Sequence, residues 1–239
     1  MDENSVRIAI VTGGSRGIGL GVAEALLEAG WRVRFCSKSP DSVRQAQGEL
    51  AGKFGDAVRG KAVDVRSQEE VDAFVAEVAR EEGRIDCLVN NAGLGVFGPV
   101  DEITGDQWRE VIETNLSGCF YFLRAVAPVM KRQGEGWIFN IASLAGKNPF
   151  AGGAAYNASK FGLIGMSEAA MLDLRSHGVR VAAILPGSVD TGFGRGGGDG
   201  SWKLQPEDIA SMVLHLLSYP PHALPSLVEM RPAKPPGKS

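Results

Sequence analysis

The chain has 239 residues, of which 44% are hydrophobic and 22% are charged, and its formal net charge is −3. This length is enough to bury one large core, so a single domain over residues 1–239 is expected. The mildly acidic balance gives no reason to expect a nucleic-acid partner, and no apolar stretch is long enough to predict a membrane span.

Apolar runs and helical periodicity alternate along the chain. A β-branched run at 6–11 ends at a Gly-Gly turn, which is typical of a buried strand. A helical pattern follows it and ends at Gly30, a residue type that often terminates helices. The alternation continues, with strands predicted at 32–37, 57–65, 85–90, 137–141, 179–185 and 226–230, and helices at 43–50, 67–81, 105–132, 154–176 and from Pro206 onwards.

This alternation predicts an α/β fold of the Rossmann type. A doubly wound parallel sheet of about seven strands would carry helices on both faces, within a single domain. In such sheets ligands bind beyond the carboxyl ends of the strands, where the strand order reverses. The residues at or near these ends are Gly13, Ser37, Asp64, Asn91, Ser143 and Pro186. We therefore expect the ligand site at this edge of the sheet.

A glycine-rich segment at 12–19, Thr-Gly-Gly-Ser-Arg-Gly-Ile-Gly, follows the first strand and opens the first helix. Glycines let the backbone turn sharply and approach a pyrophosphate, and a helix N-terminus offers free N–H groups. The alternative is an ordinary strand-to-helix turn, which the strand–turn–helix context disfavours. The expected cofactor-binding residues here are Gly13, Ser15, Arg16, Gly17, Ile18 and Gly19.

Tyr156 and Lys160 are four residues apart in a predicted helix, so their side chains share one face. A nearby ammonium stabilises a phenolate, which makes a phenol a usable proton donor to a carbonyl or acceptor from an alcohol. A Tyr-x-x-x-Lys pair also occurs by chance on surface helices. The pair is significant here because the chain also has the glycine-rich segment at 12–19 and suitable polar residues between that segment and Tyr156.

Three other polar segments have both a structural and a functional interpretation. Asn90 to Gly93 could form a simple turn, or its amides could tie loops together beside a flat ring. Asn115 could be a satisfied core residue, or it could distort its helix and hold a water for proton relay. Ser143 could be a turn former, or it could polarise a substrate carbonyl.

Together, and in this order, these segments resemble the short-chain dehydrogenase/reductase family over about residues 6–192. The resemblance implies a nicotinamide-dependent oxidoreductase with a catalytic tetrad of Asn115, Ser143, Tyr156 and Lys160. It implies Asp64 beside the adenine and Asn91 near the cofactor ribose. The cofactor-binding residues that it adds are Asp64, Val65, Asn91, Ala92, Gly93, Pro186, Gly187, Val189 and Thr191, with Tyr156 and Lys160.

The residues after the second strand favour NADP(H) over NAD(H). NAD-selective folds place an Asp or Glu there to bind the ribose 2′-hydroxyl. This chain has Ser37 followed by Lys38, and Arg16 lies in the glycine-rich segment. Two cations beside one phosphate would form charge-assisted hydrogen bonds, although both could instead be solvated surface charges.

The substrate region is predicted from less specific signals. Apolar side chains that follow the functional strand ends could line a pocket, and they are Leu94, Phe97, Phe150, Phe193 and Trp202. The segment 192–202 is rich in glycine and is expected to act as a substrate flap, whereas 232–239 is expected to be a flexible tail. This ending departs from the longer helical lid and Asp-Gly-Gly terminus of many relatives.

No metal site is expected, because His177, His215 and His222 are scattered.

Cysteine usage and the N-terminus predict a cytoplasmic location. Cys36, Cys87 and Cys119 are odd in number and embedded in apolar segments, as reduced core thiols are. The acidic residues 1–4 lack the charge pattern of a signal peptide. The family resemblance also implies a homo-oligomer, either a dimer or a tetramer.

Three functions remain open at this point. The first is an NADP(H)-dependent carbonyl reductase or alcohol dehydrogenase that acts on a small or medium apolar substrate. The second is a 3-oxoacyl thioester reductase of the acyl carrier protein type. The third is a dinucleotide-binding module without chemistry, which the presence of Tyr156, Lys160 and Ser143 together argues against.

Overall fold

The computed structural model describes residues 6–193 and 200–234, which form one sheet with helices on both faces. The seven strands all pair in parallel, which confirms the predicted single Rossmann-type domain. The strands are β1 Ile8–Thr12, β2 Arg32–Ser37, β3 Val58–Ala62, β4 Cys87–Asn90, β5 Gly136–Ile141, β6 Val179–Pro186 and β7 Leu227–Met230. The helices are α1 Gly17–Glu28, α2 Pro40–Phe54, α3 Gln68–Glu82, α4 Gly105–Ile112, α5 Gly118–Gln133, α6 Ala154–Leu174 and α7 Pro206–Leu217.

The strand order is β3-β2-β1-β4-β5-β6-β7, so the direction of winding reverses between β1 and β4. Hydrogen bonds join the two loops at this point. The Thr12 hydroxyl accepts from the backbone N–H groups of Asn91 at 3.0 Å and Ala92 at 2.9 Å. The Asn91 side chain donates to the carbonyl oxygens of Thr12 and Gly13 at 3.0 and 3.2 Å. The predicted ligand edge is therefore held together by the residues that the sequence singled out there.

The strands bury both faces, as expected for a parallel sheet covered by helices. Successive side chains of a strand point to opposite faces, and β1 illustrates this: Ala9 and Val11 enter the core under α1, α2 and α7. Ile8 and Ile10 enter the core under α3, α5 and α6. This arrangement explains why the β1 sequence is continuously apolar rather than alternating.

Several predicted bounds shift by a few residues, such as those of α2, which is longer than the predicted 43–50, and two differences affect the ligand site. The third strand ends at Ala62 rather than at 65, because residues 63–65 leave the strand pairing and enter the loop at the ligand edge. The helix predicted at 105–132 is interrupted by a π-helical turn at Glu113–Ser117, between α4 and α5. That turn contains Asn115, where a distortion was one of the two interpretations.

All three cysteines are buried and free of disulfides. Burial raises the pKa of the Cys36 thiol to about 12 and that of Cys119 to about 11, and it also raises the pKa of Cys87.

The thiolate is the reactive form of cysteine. We therefore expect no reaction of the native protein with Ellman's reagent at pH 8 and release of all three thiols in denaturant. Fast modification of a native thiol would contradict this.

Within residues 6–193 and 200–234, the structure has no helix that combines the length and apolar character needed to cross a membrane.

Candidate active site

A cavity of about 520 Å³ opens at the carboxyl edge of the sheet, where the strand order reverses. Its wall combines the turn after β1, the ends of β2, β4, β5 and β6, and one face of α6. Of the residues predicted for the site, all but Ser15, Gly19 and Asn115 line this cavity. Those that do are Gly13, Arg16, Gly17, Ile18, Ser37, Lys38, Asp64, Val65, Asn91, Ala92, Gly93, Ser143, Tyr156, Lys160, Pro186, Gly187, Val189 and Thr191.

Gly19 and Ser15 build the cavity without lining it. A Cβ atom on Gly19 would lie 2.3 Å from the Gly13 carbonyl oxygen, so only glycine lets α1 begin this close to the turn. The Ser15 hydroxyl donates to the Ser37 hydroxyl at 2.9 Å and ties the turn to the end of β2. Gly13 has a φ of +63°, a conformation that favours glycine.

The glycine-rich turn fits the diphosphate of a dinucleotide. No side chain caps the N-terminus of α1, and no acidic residue lies in its first turn. Helix N–H groups without a protein acceptor, with the positive end of the helix dipole, attract an anion. By contrast, Ser39 caps α2 and Ser67 caps α3.

Tyr156 and Lys160 lie one turn apart on α6 and both face the cavity. The Lys160 ammonium lies 5.8 Å from the centroid of the Tyr156 ring and donates to the Ile141 carbonyl oxygen at 2.9 Å. Lys160 is only 5% exposed, so its charge acts where water is scarce. Ser143, just beyond the end of β5, lines the same wall, and its hydroxyl accepts from the Ala145 N–H at 3.1 Å.

Asn115 is fully buried behind this wall. Its side chain exchanges two hydrogen bonds of 2.8 Å with the backbone of Leu94 and donates to the Ser159 hydroxyl at 3.0 Å. Ser159 in turn donates to the Tyr156 carbonyl oxygen at 2.7 Å. The Asn115 side chain therefore links the loop after β4 to the helical turn that carries Tyr156, and its proposed role in proton relay stays a prediction.

Aromatic side chains surround the Tyr156 ring. The Phe97 ring meets it edge-on with centroids 5.6 Å apart, and the Phe193 ring lies 5.9 Å away. Phe150 packs against Phe97 at 5.9 Å. Leu94 and Phe193 also line the cavity, whereas Trp202 is absent from the wall formed by the described residues. Three of the predicted apolar side chains therefore cluster with the Tyr156 ring, and their role as a substrate pocket stays a prediction.

A charged cluster also contributes to the lining of the cavity. The Asp64 carboxylate accepts from Arg66, with Nη2 at 2.6 Å, and the Lys38 ammonium lies 3.4 Å from it. The hydrogen bonds from Arg66 lower the pKa of Asp64 to about 2. Arg66, Glu110 and Lys203 line the cavity but were not predicted. Arg66 follows a predicted residue by two positions, a signal that was available, whereas Lys203 carries no local motif.

Part of the predicted flap lies outside the described residues. The structure describes Gly192, Phe193 and 200–202 of that segment, but not 194–199. The predicted tail is described only over 232–234. Among the described parts of the chain, no group of three or more His, Cys, Asp or Glu side chains is placed to hold a metal ion.

Comparison with known proteins identifies the family. Residues 7–199 match the sequence model of the short chain dehydrogenase family. A putative ketoacyl reductase from Streptomyces coelicolor is 40% identical over 193 residues, which cover 80% of this chain and 74% of that protein.

Two solved structures share the fold over almost the whole chain. A metagenomic short-chain oxidoreductase in complex with NADP has a TM-score of 0.85 and 37% identity, and the match covers 97% of this chain and 100% of that one. An alcohol dehydrogenase from the archaeon Thermococcus sibiricus, complexed with 5-hydroxy-NADP, has a TM-score of 0.89 and 30% identity, with 98% and 100% covered. The chain belongs to the short-chain dehydrogenase family, as the glycine-rich segment and the Tyr-x-x-x-Lys pair indicated.

Proposed function

We propose that this oxidoreductase transfers a hydride between NADP(H) and the carbonyl or alcohol carbon of a small apolar substrate, with Tyr156 as the general acid/base. The observation that carries the proposal is that Ser143, Tyr156 and Lys160 all line the same cavity. We assign the dinucleotide-binding and the catalytic residues to the same single domain, 1–239.

The cofactor is NADP(H). Arg16 and Lys38 line the same cavity as Ser37, which stands after β2 where an NAD-selective site would have a carboxylate, and this supports the assignment. The two solved relatives bound to NADP or 5-hydroxy-NADP support the same cofactor. When bound, its nicotinamide supplies or accepts the hydride.

The side chains of the chain itself handle the proton and the carbonyl. In reduction, the Tyr156 hydroxyl gives its proton to the carbonyl oxygen, and in oxidation the phenolate takes a proton from the alcohol. The Lys160 ammonium stabilises the phenolate and is close enough to the cavity to hydrogen-bond the nicotinamide ribose. Ser143 donates to the carbonyl oxygen and orients it, while Asn115 supports proton relay through a water that the helix distortion would hold.

The aromatic side chains around Tyr156 favour an apolar substituent on the substrate carbonyl. Phe193 and Phe150 are 46% and 47% exposed, so they present apolar surface that a substrate would cover. Initial rates with aromatic ketones and aldehydes, aliphatic ketones, and acyl thioesters, followed at the nicotinamide absorbance, test this proposal. Absence of turnover with every apolar carbonyl and alcohol would overturn it.

Shortening Phe97 tests the substrate pocket directly. Phe97→Ala is expected to raise KM for the best aromatic substrate about tenfold, because it removes an aromatic contact and apolar area next to Tyr156. The affinity for NADPH should stay within about twofold. Leu172→Ala, at a side chain that is 56% exposed on α6, is the control and should change neither value. An unchanged KM for Phe97→Ala would show that Phe97 does not contact the substrate.

A 3-oxoacyl thioester reductase is the second candidate. The similarity to the putative ketoacyl reductase from Streptomyces coelicolor favours it. Higher kcat/KM for acetoacetyl thioesters than for simple ketones would favour this candidate.

A homo-oligomer, either a dimer or a tetramer, and a cytoplasmic location complete the proposal. Sedimentation velocity of the purified chain tests the first, and a sedimenting monomer at micromolar concentration would contradict it.

A further inference from the structure

Lys203 is a cation in the cavity wall that the sequence did not reveal. Its side chain is 20% exposed, and its ammonium lies 3.3 Å from the Asp190 carboxylate. Lys203 therefore combines partial burial with a fixed partner, which distinguishes it from a freely solvated surface lysine.

Backbone pairing holds the segment of Lys203 against the end of β6. The Leu204 N–H donates to the Ser188 carbonyl oxygen at 3.0 Å, and the Asp190 N–H donates to the Leu204 carbonyl oxygen at 2.8 Å. These two bonds form an isolated bridge between Val189 and Leu204. The bridge sets the position of Lys203 relative to the cavity without help from its side chain.

The two sides of this bridge each approach α1, one at Thr191 and the other at Pro206. A Cβ atom on Gly17 would lie 3.1 Å from the Thr191 Cβ atom, and one on Gly21 would lie 3.2 Å from the Pro206 Cβ atom. Thr191 directly follows Asp190, the partner of Lys203, and Pro206 is three residues beyond Lys203. The bridge that positions Lys203 is therefore packed against the first turns of α1, through Thr191 on one side and Pro206 on the other.

The first turn of α1 is where the cofactor diphosphate would bind, because its N–H groups have no side-chain cap. Arg16 is the cation that this turn itself carries. We propose that Lys203 binds the diphosphate of NADP(H) from the end of β6, beside the first turn of α1, and that Asp190 is a positioning residue for it. The proposal rests on the dinucleotide site and is independent of the identity of the substrate.

Comparison of two cofactors distinguishes this role from its alternatives. NADPH and NADH share the diphosphate and differ only in the 2′-phosphate. Lys203→Met should raise the dissociation constants of NADPH and NADH by about tenfold each, because it removes one charge-assisted hydrogen bond to the diphosphate that both cofactors contain. Lys203→Arg keeps the charge and should retain affinity within about threefold. Dissociation constants come from nicotinamide fluorescence titrations of the full chain without substrate.

Lys53→Met is the matched control, because Lys53 also pairs with a carboxylate, Glu24, and lies in the last turn of α2, away from the cavity. It should leave both dissociation constants unchanged. Thermal midpoints of all variants check that the fold is kept, and Lys203→Gln repeats the measurement if the Met variant unfolds.

Two results would overturn the proposal. A loss confined to NADPH would place Lys203 on the 2′-phosphate. Unchanged affinity for both cofactors, together with a raised KM for substrate, would place it on the substrate. Because the titrations need no turnover, an enzyme that fails to reduce any tested carbonyl could still confirm the role of Lys203.

Discussion

Replacing Tyr156 with Phe is expected to lower kcat by about a thousandfold while the dissociation constant of NADPH stays within about twofold. General acid/base groups contribute factors on the order of 10²–10⁴, and the change removes only the oxygen that exchanges the proton. The ring remains, so its contacts with Phe97 and Phe193 are kept. Single-turnover measurements with saturating NADPH, combined with fluorescence titration, separate the loss of chemistry from any loss of binding.

Lys160→Met is expected to behave differently from Tyr156→Phe, because the Lys160 ammonium is assigned both to proton transfer and to cofactor binding. The variant should lower kcat and also weaken NADPH, since it loses the charge that stabilises the phenolate and a donor near the ribose. Methionine keeps the packing of the stem, which is buried on α6.

Tyr121→Phe, at a half-buried tyrosine on α5, is the control for the loss of a phenol and should keep full activity. If Tyr156→Phe kept most of its kcat, the proton would have to come from Ser143 or from water, and the proposed acid/base role would be wrong.

The sequence predicted the ligand edge because its signals are local. The β-branched run of β1, the glycines after it and the alternation of elements all follow from neighbouring residues, and they fix the edge at which the loops meet. Gly19 is instructive: its place in the motif was recognised, but the structure shows that it serves close packing of α1 against Gly13 rather than contact with the cavity.

The π-helical turn could be suspected but not located from sequence. A buried polar side chain in an apolar helix marked Asn115 as exceptional, yet the periodicity on either side favoured one continuous helix. The reason for the distortion lies far away in sequence: Asn115 bonds to the backbone of Leu94 and to Ser159 of α6. Propensity alone carries no information about such tertiary partners.

Lys203 escaped prediction for a related reason. It belongs to the cavity only because the bridge between Val189 and Leu204 brings the two sides of a loop together. A bridge of one residue pair is too short to leave a strand pattern in the sequence. A lysine just before a helix is ordinarily a solvated surface residue. Residues that reach a site through long connections are therefore found from the fold and not from motifs.

Reversing the charge of Lys38 should change the preference between the two cofactors. Lys38→Asp is expected to lower kcat/KM for NADPH about a hundredfold and that for NADH less than about threefold. The variant removes a charge-assisted hydrogen bond to the 2′-phosphate and adds a carboxylate that repels it, whereas a 2′-hydroxyl can donate to the same carboxylate.

The effect depends on a cluster that is already charged. Lys38 lies 3.4 Å from Asp64, whose own charge is held by Arg66. Lys38→Asp therefore leaves two carboxylates close together, and the repulsion acts on the phosphate of NADPH but on no corresponding group of NADH. Raising the ionic strength should reduce the gap between the losses of kcat/KM for NADPH and for NADH in Lys38→Asp. The reason is that residue 38 is exposed (63% for the lysine), so its interactions are screened by salt.

Lys53→Asp makes the same change of charge at the far end of α2 and should leave the ratio of the two efficiencies as it is in the unmodified chain. This control separates a local contact from a general effect of net charge on binding of an anionic cofactor. Equal or better efficiency of the unmodified enzyme with NADH, or an equal loss with both cofactors in Lys38→Asp, would show that Lys38 does not read the 2′-phosphate. After an equal loss with both cofactors, a preference for NADPH would have to come from Arg16 or from the hydroxyl of Ser37.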